Sequence, residues 1–267
     1  MSYDIPISRI GEKMQEKKRH IAMLIDCDNA SPYAIKGILK ELSKYGEVIV
    51  RQAYGNWNNP QLTPWMDRLL EHSIKPIQQF DYTKGKNATD IAMVIDAMDL
   101  MYTRDLDGFA LVTSDSDFTP LAQRLMSNGL TVYGFGEKKT PKAFINSCSQ
   151  FIYTENLERE EKKSKSRTEE VVKKKRGKKN TPSEAESKID TVLEDEEFID
   201  LLLTGLQKTA GENGWVNVSD LGQYLSNNSA FSPVNYGYEK LGALLRNIPF
   251  LESKFENNNS IMYVREK

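Results

Sequence analysis

The sequence predicts an α/β domain with a central parallel sheet, followed by a small domain of helices and a β-hairpin. Short apolar runs alternate with segments of helical periodicity over the first part of the chain. A long run of charged residues without an aromatic residue follows, beginning at Glu158. Beyond it, three helical segments precede two alternating segments. We therefore divide the chain into an α/β domain at residues 18–157, a charged linker at 158–193 that we expect to be disordered, and a C-terminal domain at 194–266.

The first domain contains six predicted strands separated by helices. The strands are predicted at residues 20–26, 47–54, 74–80, 109–113, 130–135 and 151–153, most of them short apolar runs. Helices are predicted to follow Ser31-Pro32 and to span residues 61–72, 89–101 and 118–126. This alternation is typical of a parallel sheet with helices on both faces. In such sheets, the ligand site lies beyond the carboxyl ends of the strands.

Composition narrows the class of protein. The net charge is −2, and the basic stretch KKKRGKK at residues 173–179 is either a solvated spacer or an attractor of phosphate backbones. Cys27 and Cys148 form no CxxC pair and fit a reducing compartment. The chain has no apolar run long enough to span a membrane and no N-terminal run of signal-peptide type, so we expect a cytoplasmic protein.

Carboxylates stand at the predicted strand ends. Asp26 ends the first strand, Asp115 and Asp117 follow the fourth, and Asp90 begins the long helix. Carboxylates that converge on one cleft repel each other unless a cation is present, and the cation that oxygen ligands favour is Mg²⁺ or Mn²⁺. A metal held in this way can activate water and stabilise the in-line displacement of a phosphodiester. The pattern therefore predicts a metal-dependent phosphodiesterase site.

Other interpretations of these residues remain open. Asp90 and Asp117 could each cap a helix, and Asp28 could be a turn residue. Asp96 lies about 120° around the helix from Asp90, so we treat it as a secondary candidate. The chain has no GxGxxG after its first strand and no P-loop. The DxD of Asp26 and Asp28 is also found in aspartyl-phosphate phosphatases, which leaves a small-molecule phosphatase as a further alternative.

Three motifs carry a family resemblance. The segments IDCDN (25–29), KNATD (86–90) and TSDSDF (113–118), in this order, resemble the NYN family of PIN-like nucleases over roughly residues 21–156. The resemblance implies a PIN-like three-layer α/β/α fold with a divalent metal. Carried over by motif, the metal-site carboxylates would be Asp26, Asp90, Asp115 and Asp117. Asn29 would hold substrate or water, and Ser114 would support the cluster and contact substrate. Apart from the resemblance, Lys84 and Lys86 lie just upstream of Asp90, where they would either neutralise phosphate or be solvated loop residues.

The C-terminal part predicts a winged helix-turn-helix. Helices are predicted at 196–207, from an N-cap at Ser219, and at 238–247. A hairpin is predicted from 250–255 and 261–264. The run NYGYEKLGALL at 235–245 resembles the OST-HTH, or LOTUS, domain over roughly residues 196–264, which implies RNA binding and a possible protein partner. Tyr236, Lys240 and Arg246 would face RNA, although Tyr236 and Tyr238 could instead pack in the core.

Together these observations predict a metal-dependent endoribonuclease with an RNA-binding C-terminal domain. The alternative from a different class is a non-catalytic RNA-binding adaptor or regulator. The residues do not distinguish RNA from DNA, because none can be assigned to reading the 2′-hydroxyl.

Overall fold

The N-terminal domain is built on a six-stranded sheet whose neighbouring strands are all parallel. The computed structural model describes residues 18–80, 87–158, 189, 192–211, 213–257 and 260–267. The strands are β1 His20–Asp26, β2 Glu47–Gly55, β3 Lys75–Gln78, β4 Gly108–Val112, β5 Thr131–Gly136 and β6 Gln150–Tyr153. Their order is β3-β2-β1-β4-β5-β6. The predicted parallel sheet is confirmed.

The central strands are buried on both faces. In β1, Ile21, Met23 and Ile25 pack in one apolar core while Ala22 and Leu24 pack in the other. This assignment follows the two-residue period of a strand, and it explains why β1 is a continuous apolar run.

Helices cover both faces of the sheet. On one face lie α1 Ile35–Leu42 and α2 Thr63–Glu71, which bury their apolar sides in the same core as Ile21. On the other face lie α3 Ala88–Thr103, α4 Thr119–Ser127 and α5 Lys142–Asn146. The result is the expected three-layer α/β/α arrangement, which fits a PIN-like fold.

The strand order reverses between β1 and β4. From β1 the chain builds outward to β2 and β3, and β4, β5 and β6 extend the sheet on the other side. The register pairs Ile25 with Val112, so the next residues along the two strands, Asp26 and Thr113, lie at the same edge. A reversal of this kind opens a crevice at the carboxyl ends of the strands, where ligands of open α/β sheets bind.

Among its described residues, the C-terminal domain combines helices with a three-stranded antiparallel sheet. The helices include α6 Glu196–Thr209, α7 Val218–Asn228 and α8 Leu241–Leu245, and the strands are β7 Val216–Asn217, β8 Leu251–Glu256 and β9 Ile261–Glu266. The sheet order is β7-β9-β8, with antiparallel pairing throughout. This arrangement is consistent with the predicted winged-helix domain.

Two predicted boundaries in this domain are wrong. Asn217, rather than Ser219, caps α7, because its side chain accepts a hydrogen bond from the Ser219 N–H. The third helix is also shorter than the predicted 238–247. A 3₁₀ turn at Pro233–Tyr236 ends at Gly237, whose φ of 74° is left-handed, and Lys240 is extended, so the α-helix begins only at Leu241.

The C-terminal domain contacts the edge strand β6. The Asn235 side chain accepts from the Tyr153 N–H (3.0 Å) and donates to the Phe151 carbonyl (2.9 Å), as a neighbouring strand would. The Phe151 N–H in turn donates to the carbonyl of Ala230 (3.0 Å). The polar groups of an edge strand that would otherwise stay open for pairing are thereby satisfied.

Most of the predicted linker lies outside the described residues, so the expectation of disorder at 158–193 is not addressed. Val192 is described, and it is fully buried in the C-terminal core. Cys27 and Cys148 are both free thiols and buried. Within the described ranges, every helix is too short or too polar to traverse a lipid bilayer.

Candidate active site

Asp26 is the buried centre of the candidate site. It ends β1 and is 0 % exposed. Its Oδ2 accepts hydrogen bonds from Thr113 Oγ1 (2.8 Å) and Asn29 Nδ2 (3.0 Å), and its Oδ1 accepts from the Asp28 N–H (3.1 Å). Burial nevertheless raises the pKa of this carboxyl, because the loss of hydration outweighs the hydrogen bonds that stabilise the charged form.

Thr113 joins the ends of the two central strands. Its hydroxyl donates to Asp26 Oδ2 and accepts from the N–H of Asp115 (3.1 Å). Thr113 is itself fully buried. The residue was quoted in the third motif but was not among the predicted site residues. The available signal was a hydroxyl side chain directly between a buried strand and the first carboxylate of that motif.

Asp115 and Asp117 occupy the loop after β4. Asp115 caps the 3₁₀ turn Ser116–Phe118, since its Oδ1 accepts from the Asp117 N–H (2.9 Å). The capping interaction considered for Asp117 is therefore made by Asp115. Asp117 Oδ2 instead accepts from Asn87 Nδ2 (3.1 Å), which ties the third motif to the start of α3.

The pKa of Asp90 depends on the other carboxylates of the site. Its pKa is raised to about 6, first by burial and then by repulsion from Asp26, Asp115, Asp117 and Asp28, in that order. Asp90 lies in the first turn of α3, where an acidic side chain interacts favourably with the helix dipole, but no side chain caps this helix through a hydrogen bond among the described residues. We call these five residues the carboxylate cluster. The structure thus brings together the four predicted carboxylates, with Asp28 beside them.

Three other candidates have different surroundings. Asn29 lies in the site, where its amide holds Asp26. The Asp96 Oδ2 accepts a hydrogen bond from the Tyr54 hydroxyl (3.0 Å). Ser114 faces the neighbouring loop, where its hydroxyl accepts from the Glu137 N–H (2.9 Å) and joins the ends of β4 and β5. Lys84 and Lys86 are outside the described residues.

The carboxylate cluster has the type of ligand atom that a hard divalent cation binds. Four described carboxylates, those of Asp26, Asp115, Asp117 and Asp28, act on Asp90 together. Carboxylate oxygens are the ligands that Mg²⁺ and Mn²⁺ prefer. Among the described residues, however, no three acidic, histidine or cysteine side chains already stand in an arrangement that could hold a metal ion. The residues present therefore fit a metal by type, and binding would draw them closer together.

The C-terminal domain separates its candidate residues into core and surface. Tyr236 packs against Phe198, with ring centroids 5.1 Å apart, and its hydroxyl donates to Asp195 Oδ2 (2.7 Å). Tyr236 therefore packs against the C-terminal core, which favours the core alternative over a place on an RNA-facing surface. Lys240 and Arg246 are exposed.

A second surface of this domain was not predicted. Trp215 lies against Lys254 and Arg265, each 4.7 Å from the ring centroid, and Lys254 also lies 5.3 Å from the ring centroid of Tyr263. Aromatic and cationic side chains in alternation are a common composition of single-strand-binding surfaces.

Comparison with known proteins identifies both parts of the chain. Residues 20–158 match the model of the NYN domain, and residues 193–263 match that of the OST-HTH/LOTUS domain. An uncharacterized protein of Methanocaldococcus jannaschii, MJ0482, is 26% identical over 191 residues, which is 67% of this chain and 76% of that protein. A crystal structure of a protein of unknown function from Vibrio parahaemolyticus, VPA0982, has a TM-score of 0.44 and 20% identity, and the match covers 52% of this chain and 94% of that one.

Proposed function

Since the chain belongs to the NYN domain family, we propose that it is a metal-dependent endoribonuclease whose C-terminal domain binds the RNA. The chain joins a domain of a nuclease family to a domain of an RNA-binding family. The observation that carries the proposal is the carboxylate cluster at the point where the strand order reverses, with the pKa of Asp90 raised by its neighbours. Carboxylates that repel each other in a crevice are costly for a fold unless they serve a cation.

The side chains have separate tasks in this proposal. Asp26, Asp90, Asp115 and Asp117 would hold Mg²⁺ or Mn²⁺. When bound, such a metal lowers the pKa of water and neutralises charge on the phosphate. Thr113 and Asn29 orient Asp26 through hydrogen bonds to its Oδ2, so their role is positional. No side-chain nucleophile is needed. Ser114 and Lys86, which we also predicted to contact substrate, stay predictions.

Cleavage of a labelled single-stranded RNA tests the proposal. Wild type and Asp26→Asn are compared in Mn²⁺, Mg²⁺ and EDTA, with Asp99→Asn, an exposed acidic residue of the same domain, as the matched control. We expect cleavage that requires a metal, is lost in Asp26→Asn and survives in Asp99→Asn. Cleavage of equal rate by Asp26→Asn would show that the cluster is not the site.

A non-catalytic RNA-binding adaptor is the second candidate. The observation that favours it is that no three described side chains are already arranged to hold a metal. If the protein is an adaptor, wild type and Asp26→Asn should bind RNA with the same affinity. Neither protein should then cleave RNA in Mg²⁺ or in Mn²⁺. Hydrolysis of a simple phosphate ester, with RNA left intact, would instead favour the phosphatase.

A further inference from the structure

The outward face of α3 carries an apolar stripe that nothing in the described chain covers. Ile91, Ile95 and Tyr102 are 59%, 55% and 66% exposed, and Met98 between them is partly exposed. We call these four residues the outer stripe. Its members are separated by four, three and four residues, which places them on one line along the helix. The opposite side of α3 buries Met93 and Ala97 in the core, so the helix is apolar on both sides.

A helix that is apolar on two opposite sides normally has both of these sides covered. The C-terminal domain does not cover the stripe, because its hydrogen bonds go to β6, whereas α3 packs on β1 and β2 at the other half of the sheet. The linker at 159–188 contains only two valines and one alanine as apolar residues, too few to cover a stripe that is about 17 Å long at 1.5 Å per residue. A surface of this kind on a folded domain indicates an interaction site.

We propose that the outer stripe is the interface with a second copy of this chain, in which the two α3 helices pack antiparallel around a two-fold axis. The spacing of four, three and four residues is the repeat that helices use to pack along their length. The spacing reads the same in both chain directions, so the stripe of an antiparallel copy lines up with it. Ile95 then meets Met98 of the second copy, and Ile91 meets Tyr102 of the second copy. A two-fold interface requires such self-complementarity.

Charge selects the antiparallel direction. Helix α3 contains three acidic residues, Asp90, Asp96 and Asp99, and no basic residue. The basic residues lie beyond its C-terminal end: Arg104 caps the helix, and Arg124 of α4 donates a hydrogen bond to the Tyr102 hydroxyl (2.9 Å). In the antiparallel register, these arginines come beside Asp90 of the second copy. In a parallel register, they would lie next to their own counterparts and repel each other.

The pairing has a consequence that rests on the proposed function. Arg104 and Arg124 are exposed, and in the dimer they stand beside the carboxylate cluster of the other copy. They could there bind the phosphates that flank a cleavage site, a task for which the cluster itself has the wrong charge. The interface itself can be tested without RNA.

The mass of the full-length protein in solution is the first test. We expect sedimentation equilibrium to give twice the chain mass of 30.5 kDa for wild type. Ile95→Lys should weaken self-association by more than about 100-fold, because two like charges would face each other beside the axis. Leu70→Lys is the matched control, since Leu70 is 80% exposed on α2, on the opposite face of the sheet, and should stay dimeric. Both sites are exposed, so circular dichroism should show both variants folded.

A monomeric wild type up to about 200 μM would overturn the proposal, and would indicate that residues 1–17 of the same chain cover the stripe or that it stays open. Dimers of unchanged stability in Ile95→Lys would also overturn it, since the interface would then lie elsewhere. The direction is tested with a short bis-maleimide linker. The double variant Ile91→Cys/Tyr102→Cys should be cross-linked between copies and Ile91→Cys alone should not, while efficient cross-linking of the single variant would exclude the antiparallel register.

Discussion

Asp90→Asn should make the metal-free protein more stable at pH 7.5. Burial and four neighbouring carboxylates raise the pKa of Asp90 from 3.8 to about 6. At about 1.4 kcal/mol per pKa unit, the full difference is at most about 3 kcal/mol of destabilisation. Because Asp90 is only partly buried, water screens much of this repulsion, and we expect a gain of about 1 kcal/mol in the free energy of unfolding.

The pH dependence has a definite sign. A raised pKa means that the folded state binds the proton more tightly than the unfolded state, so wild-type stability falls as pH rises from about 4 to about 6 and stays low above. The advantage of Asp90→Asn should therefore be largest at pH 7.5 and shrink at pH 5. Mn²⁺ should reverse the order, because only wild type keeps the full set of carboxylates and gains stability from the ion.

Urea unfolding in EDTA at both pH values, followed by circular dichroism, measures these differences, and a repeat in Mn²⁺ measures the reversal. Asp99→Asn, an exposed acidic residue on the same helix, serves as the control and should change stability little. The reasoning would be refuted if Asp90→Asn were less stable than wild type in EDTA at pH 7.5, or if its advantage did not depend on pH.

Other substitutions test the positioning residues and the domain contact. Thr113→Val removes the hydroxyl between Asp26 and Asp115 and should raise the Mn²⁺ concentration for half-maximal cleavage by about 10-fold to 100-fold. Thr113→Ser keeps a hydroxyl and should need the same Mn²⁺ concentration as wild type. Equal Mn²⁺ requirements in Thr113→Val and wild type would contradict this role. Asn235→Ala removes two hydrogen bonds to β6 and should lower the free energy of unfolding by about 1–3 kcal/mol, with faster amide exchange at Tyr153; unchanged exchange there would show that the contact is absent in solution. Tyr236→Phe removes the hydrogen bond to Asp195 and should cost about 1 kcal/mol without weakening RNA binding, whereas loss of RNA affinity alone would return Tyr236 to the surface role.

The strands of the first domain could be predicted because each buried strand is a short apolar run with a polar residue at its end. The meeting of Asp26 with Asp115 followed from the same logic, since the carboxyl ends of parallel strands share an edge. The hydroxyl of Thr113 was a visible signal in the third motif, but its partner, Asp26, depends on the register between β1 and β4 and was not predicted. Helical geometry alone made Asp96 a secondary candidate, and in the structure its carboxylate accepts a hydrogen bond from the Tyr54 hydroxyl.

The C-terminal domain shows where local patterns mislead. Apolar periodicity extended the third helix to residues 238–247, but the left-handed Gly237 and the extended Lys240 delay its start. The sequence allowed Tyr236 to lie in the core or on the surface, and its packing against Phe198 with the hydrogen bond to Asp195 favours the core. The contact of Asn235 with β6 joins residues more than 80 positions apart, and no local pattern indicates such a contact.

The dependence of circular RNA cleavage on Mn²⁺ tests the central claim most directly, because a circle can be opened only by an endonuclease. Single-turnover rates are measured for wild type and Asp115→Asn from EDTA to saturating Mn²⁺. The account predicts no opening in EDTA, a rate that rises and saturates with Mn²⁺ in wild type, and no opening at any concentration in Asp115→Asn. Opening in EDTA at the saturated rate, or opening by Asp115→Asn at the wild-type rate, would contradict a metal-dependent site at the carboxylate cluster.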